Sequence, residues 1–316
     1  MASNSASRKF ARLRPRHSVG GTKRLRREIR EWTAKGILFS AAASSVLITA
    51  AIVCVLLFES WGFFKEVPLT EFLTATEWSP LFNPPHYGIL PLVTATLVTT
   101  VIALAVALPV GTIIAIYLSE FAPFVLREAL KPSLELLSAV PTIVYGYFAL
   151  QFVSPILQSF IPDLPRANML SAGIVMGIMI VPYVSSLSED AMRSVPMLLR
   201  EGSYALGGNK FITAWNVVVP SALSGIGAAY ILGISRAIGE TMIVAVAAGM
   251  QPRLTIDPTE QAQTITAYIV ATSQGEAEHG TVAYQSIFAA GLALFAMTLS
   301  FNILGYWLRR RYHQAY

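Results

Sequence analysis

The chain has 316 residues, of which 54% are hydrophobic and only 13% charged, with a formal net charge of +5. A soluble domain carries about 25% charged residues, and the apolar residues here fall in runs too long for a soluble core. The basic excess comes with no aromatic-basic stripe, which points to membrane lipid rather than nucleic acid. One cysteine, Cys54, sits inside an apolar run, so no intrachain disulfide can form.

Residues 1–36 hold eleven Lys or Arg against Glu28 and Glu31. They read as a basic cytoplasmic tail, either solvated or folded from Lys23 to Lys35 as a surface helix on anionic headgroups. Ile37 to Phe58 is the first predicted span, 22 residues without a charge, where about 20 suffice to cross the hydrocarbon core. Ser60 to Tyr87 reads as an external loop with Trp61 and Trp78 and room for a short amphipathic helix near Leu69 to Trp78. Gly88 to Leu118 is the second span, with Pro109 predicted to kink it. Glu120 to Lys131 turns the chain into a third span, Pro132 to Ser154, with Glu135 in its first turn. Pro141 and Gly146 interrupt that span, and such breaks persist in membranes only when buried in protein or lining a cavity.

Asn168 to Ser188 is the fourth span, with Gly173 and Gly177 spaced for close helix contact. A polar segment, Glu189 to Asn216, leads into a fifth span from Val217 to Met250. Residues 251–280 are polar and external, with Thr264 to Thr272 a candidate interfacial or re-entrant helix. Thr281 to Leu308 is the sixth span, and Arg309 to Arg311 follow it. Six spans put both termini on one side. With the N-terminus inside, 19 of the 23 Lys and Arg fall in the inside segments 1–36, 119–132, 189–216 and 309–316, as the positive-inside rule requires. The expected fold is an all-α polytopic membrane protein with a tail at 1–36, a transmembrane domain at 37–308 and a short cytoplasmic end at 309–316.

The fifth span carries the chemistry. Read as one helix from Pro220 to Met250, it places Arg236 near the bilayer centre, where a charge costs about 2.5–3.5 kcal/mol on insertion scales. Glu240 falls one turn further on the same face. Two readings stand open: an internal ion pair that glues helices together, or a pair facing a wet cavity. In the second, Arg236 offers N–H donors to a tetrahedral oxyanion. Glu240 then accepts the proton that phosphate carries near neutral pH and sulfate lacks. Ser235 and Thr241 flank the pair, either as further hydroxyl donors or bonded to the helix's own carbonyls. His17, His86, His279 and His313 are scattered and show no metal or catalytic spacing, so neither a catalytic site nor a metal or cofactor site is expected.

Arg200 to Pro220 reads REGSYALGGNKFITAWNVVVP. An apolar side formed by Met197, Leu198, Tyr204 and Leu206, the Gly207–Gly208 pair and Pro220 predict a helix–turn–helix on the cytoplasmic face, serving either as a docking knob or as a plain connector. This loop resembles the EAA loop of binding-protein-dependent ABC importer permeases. Glu201, Gly207 and Pro220 match its Glu, Gly and Pro, while Gly202 and Ser203 replace its two alanines. LELLSAVPTIVYG from Leu134, IMIVPY from Ile178 and SRAIGETMIVAVAAG from Ser235 are similar to the phosphate ABC transporter permeases of the PstC type, over roughly residues 37–308.

The resemblance implies a type I, MetI-like permease fold with a coupling loop at about 197–220. It implies an inorganic phosphate importer of the bacterial plasma (inner) membrane. A second permease similar to PstA, two cytoplasmic ATPases similar to PstB and an extracytoplasmic phosphate-binding protein similar to PstS would complete it. Arg236 and Glu240 then match the family's intramembrane Arg and Glu tied to phosphate passage. The chain has no GxxxxGK[ST] phosphate loop, so ATP hydrolysis falls to the partner ATPases. A permease for sulfate, molybdate or another oxyanion, a secondary transporter and a membrane scaffold are the competing readings.

Overall fold

The computed structural model describes residues 21–276, 278 and 280–311. The first part of the basic tail, the C-terminal residues 312–316, and His17, His279 and His313 lie outside the described residues. The chain divides into two compact units, residues 1–55 and 56–316. In the first unit the described chain is a single helix, α1 (Gly21–Glu66), which continues past the unit boundary. At 1.5 Å per residue its 46 residues run about 69 Å, more than twice a hydrocarbon core. Residues 21–36 are thus helical and continuous with the helix that carries the first span.

The second unit opens with α2 (Leu69–Thr74), followed by strands β1 (Trp78–Ser79) and β2 (His86–Tyr87), which pair antiparallel with Trp78 opposite Tyr87. The predicted amphipathic helix is present as α2, burying Phe72. Helix α3 (Leu90–Ile116) runs through Pro109 and ends in a π-helical turn, Tyr117–Phe121. The third span departs from expectation. Phe124–Ser138 forms α4, an amphipathic helix that buries no side chain. The chain breaks at residues 139–141 before the span itself, α5 (Thr142–Phe148), a π-turn (Ala149–Val153) and α6 (Ser154–Phe160). Pro141 explains the break, because its ring forces the preceding residue out of the helical region. Glu135 thus belongs to α4 and not to the first turn of a span.

The remaining helices are α7 (Met169–Arg193), α8 (Met197–Ala205), α9 (Lys210–Thr213), α10 (Val219–Ile238), α11 (Met242–Ala247), α12 (Ile265–Ala271) and α13 (Val282–Arg311). A π-turn, Ala214–Val218, joins α9 to α10. Among the described residues six helical stretches are long and apolar enough to cross a membrane: Arg30–Glu66, Leu90–Phe121, Thr142–Phe160, Met169–Arg193, Lys210–Ile238 and Val282–Trp307.

Helix α7 is the axis of the second unit. Asn168 caps it by accepting from Ser171 N, and it buries more side chains than any other helix. Its glycines let α3 approach: a Cβ on Gly177 would stand 2.7 Å from Val106 Cβ and 2.8 Å from the Ala103 carbonyl. Gly111 on α3 returns the contact against Val184. At one end of the bundle, Phe63, Phe72, Trp78, Tyr87 and Tyr268 form an edge-to-face aromatic cluster, with Trp78 and Tyr268 centroids 5.0 Å apart. The predicted re-entrant helix is α12, and it is buried in protein.

Substituting Gly177→Leu forces α3 and α7 apart, because the atoms it meets are a β-branched side chain and a backbone carbonyl. Overpacking of this kind costs about 1–3 kcal/mol or more. The expected result is a lower melting temperature in detergent, whereas Gly227→Leu, which meets nothing within 4 Å, leaves it near the parent value.

Candidate functional site

The long fifth helix is two helices. α10 ends at Ile238, Gly239–Thr241 leave the helical path, and α11 restarts at Met242. Arg236 and Glu240 are therefore not an i, i+4 pair on one face. Glu240 is buried, 8% exposed, and its Oε1 accepts from Met242 N at 3.1 Å and Ile243 N at 3.3 Å. A carboxylate on the first N–H groups of a helix satisfies orphan donors and meets the positive end of its dipole. That interaction favours restarting the helix over continuing it through Gly239. The break's own backbone is satisfied as well: Glu240 N donates to Ala237 O at 3.2 Å, and Thr266 Oγ1 donates to Glu240 O at 2.7 Å.

Arg236, in the last turn of α10, lies over the ring of Tyr183 on α7, its guanidinium carbon 4.2 Å from the ring centroid. Its Nε is buried without a hydrogen-bond partner. An unpaired buried donor costs about 1–3 kcal/mol, and more when charged. Ser235 Oγ donates to Asn302 Oδ1 on α13 at 3.0 Å, while Thr241 Oγ1 donates to the Gly239 carbonyl at 3.3 Å. Of the two hydroxyls, only that of Thr241 bonds to the chain's own nearby carbonyl. Tyr183, Thr266 and Asn302 complete the constellation, and sequence reasoning missed all three as site residues. Tyr183 lay within the IMIVPY stretch, but nothing local indicated which helix it would face.

The second cluster is the predicted helix–turn–helix. Helix α8 ends in a left-handed Gly207, φ 86°, where any other residue is strained. Gly207 N donates to Tyr204 O and Gly208 N to Ser203 O, the paired bonds of a Schellman stop. Asn209 caps α9 through Ile212 N, and the hydroxyls of Ser203 and Thr213 share a hydrogen bond of 2.8 Å. Glu201 and Gly202 are exposed on α8. Pro220 lies in the first turn of α10, as expected, but the continuous helical run begins earlier, at Lys210. Proline lacks an N–H and crowds the preceding turn, and the π-turn at Ala214–Val218 widens the helix there.

Two buried ionic groups fix this end of the bundle. Arg200 donates to Val195 O at 2.7 Å, to Met192 O at 2.9 Å, and to Glu120 at 2.8 and 3.3 Å. Glu189, fully buried on α7, lies 2.7 Å from Lys131, 3.5 Å from Arg193 and 3.8 Å from Arg127. Burial alone would lower the Lys131 pKa, but hydrogen bonds to Asp190 and Glu189 raise it above the ordinary lysine value. The Lys131 contribution is thus complete at neutral pH and is lost only as pH climbs past the lysine range. Arg127, Lys131 and Arg193 also line an open hollow of about 410 Å³ with Glu128, Pro132 and Glu135. Its cations are matched by acids, so it favours no anion. Glu120→Ala strands a buried guanidinium, at a cost of about 3–5 kcal/mol. A fall in melting temperature with rapid proteolysis at the α8–α9 turn is the expected signature.

Among the described residues no group of three or more His, Cys, Asp or Glu is placed to hold a metal ion. The model of the family "Binding-protein-dependent transport system inner membrane component" matches residues 107–314. The chain is 32% identical over 281 residues to the probable ABC transporter permease protein YqgH of Bacillus subtilis, covering 88% of this chain and 91% of that one. It is 35% identical over 290 residues to the phosphate transport system permease protein PstC of Xylella fastidiosa strain 9a5c, covering 85% and 87%. Its fold is that of a bacterial ABC transporter involved in the import of the acidic polysaccharide alginate, at TM-score 0.64 and 16% identity, covering 92% of this chain and 100% of that one. The MetNI methionine ABC transporter in an inward-facing conformation gives TM-score 0.53 at 15% identity, covering 72% and 95%. With an apolar fifth span that breaks just after Arg236 and a capped helix–turn–helix before it, the chain belongs to the binding-protein-dependent inner membrane transport components and is a homologue of the PstC permeases.

Proposed function

We propose that this chain is a permease subunit of an ATP-driven importer of inorganic phosphate, forming half of the path with a second, PstA-like permease. Two PstB-like ATPases and a PstS-like binding protein complete the assembly. The observation that carries this reading is Arg236. It is a guanidinium inside an apolar span, at a helix break, with a buried Nε–H that no group among the described residues accepts. Several homologues at 31–35% identity are phosphate permeases by name, which supports phosphate as the anion.

In this reading Arg236 supplies charge-assisted N–H donors to the oxyanion, with Ser235 and Thr241 beside it. Glu240 uses Oε1 to cap α11, which leaves Oε2 to accept the proton of a phosphate. Sulfate has no such proton and meets an uncompensated charge. Residues 197–220 form the coupling segment, with Glu201, Gly202, Ser203, Gly207 and Pro220 seating it on the ATPase. Its two caps and the Arg200–Glu120 clamp support a stiff lever rather than a loose connector. In this reading both termini lie in the cytoplasm; it is supported by Glu120, Lys131, Glu189 and Arg200, which belong to the segments assigned inside by charge and meet at one end of the bundle.

Purified complexes in proteoliposomes test this. Arg236→Gln is expected to lower phosphate uptake at least tenfold. Glu240→Gln keeps an oxygen for the α11 cap, and is expected to admit sulfate while phosphate uptake falls. Normal phosphate uptake by both variants overturns the reading; unchanged rejection of sulfate by Glu240→Gln overturns the role given to Glu240. Parent complexes that carry sulfate or molybdate in preference to phosphate place the chain with another oxyanion.

A further inference from the structure

The Arg236 guanidinium lies over the Tyr183 ring, its carbon 4.2 Å from the ring centroid. The electron-rich face of an aromatic ring attracts a cation and covers it. A guanidinium keeps its N–H donors in its own plane, so one covered by a ring presents them outward along its edges. Among the described residues nothing accepts from its buried Nε, which leaves the ring as the recorded contact of the ion. The ring itself is firmly mounted. Tyr183 follows Pro182 inside α7, and Val181, Pro182, Val184 and Ser185 are all buried. Ser185 Oγ donates to the Pro182 carbonyl at 3.1 Å, and Gly233, one turn before Arg236, faces Val184 and Ile180 of the same helix.

We propose that Tyr183 is a positioning residue for anion recognition: its ring fixes the guanidinium plane so that the Nε–Nη edge of Arg236 meets the passing oxyanion. The proposal rests on the phosphate-permease reading above. Tyr183 touches the arginine and not the anion, so the ring face matters and the hydroxyl does not.

The test uses the complete transporter in proteoliposomes, with saturating phosphate-loaded binding protein, and reads phosphate uptake and ATP hydrolysis together. Tyr183→Leu is expected to lower uptake about tenfold while ATP hydrolysis continues, so less phosphate moves per ATP. Tyr183→Phe and Tyr183→Trp restore uptake to within about twofold. Tyr183→Met, a second ringless variant of different shape, guards against a packing fault peculiar to leucine. In an Arg236→Gln background, Tyr183→Leu is expected to cause no further loss. Uptake by the Leu and Met variants equal to that of Phe overturns the proposal, as does a full further loss in the Arg236→Gln background, which marks a packing role. Normal uptake by Arg236→Gln alone removes the phosphate-permease reading and this proposal with it. An essential Arg236 beside a dispensable ring removes this proposal only.

Discussion

A carboxylate capping a helix inside an apolar span is the constraint on which this architecture depends. Glu240 closes the exposed start of α11 through Met242 and Ile243 N–H groups, and that bond ends what would otherwise be one continuous helix. Irregular backbone at membrane depth is tolerated only where protein satisfies it. Here Thr266 donates to the Glu240 carbonyl, Asn168 N to Ala247 O and Ala262 N to Ala248 O. The extended segment before α12 is therefore structural, since it supplies partners that a broken helix lacks. Its far end is tied to α3 through Ile265 N and Thr96 Oγ1, 3.1 Å apart.

The two ends of the second unit are built by different physics. One end is aromatic and dry: the β1–β2 pair, the end of α1 and α12 are held by edge-to-face rings around Trp78 and Tyr268. The other is ionic: Glu189 gathers three cations and Arg200 is bidentate on Glu120. Buried ion pairs of this kind add little net stability, but breaking one is expensive. They specify where α4 and α8 sit rather than how stable the bundle is.

Between these ends α7 joins everything. It packs closely on α3 through Gly173 and Gly177, presents Tyr183 to Arg236, and carries Glu189 at its last turns. The ionic end and the arginine of the fifth span thus share one packing element, α7.

Sequence alone determined the number of spans and their bias of charge, because hydrocarbon thickness sets a length that uncharged runs either meet or miss, while the bounds of the third and fifth came from the structure. It also located Arg236, Glu240 and the capped turn at Gly207, since a charge within an apolar run and a glycine pair after a short helix are local signals. What only the tertiary structure decided was the relation among them. The third span began at Thr142, since Pro141 split α4 away, and Arg236 and Glu240 parted company because a capping bond outcompeted helix continuation. The arginine's aromatic partner, and the partners of Arg200 and Glu189, lie on other helices. Contacts between helices depend on how those helices pack, which no local pattern of residues encodes.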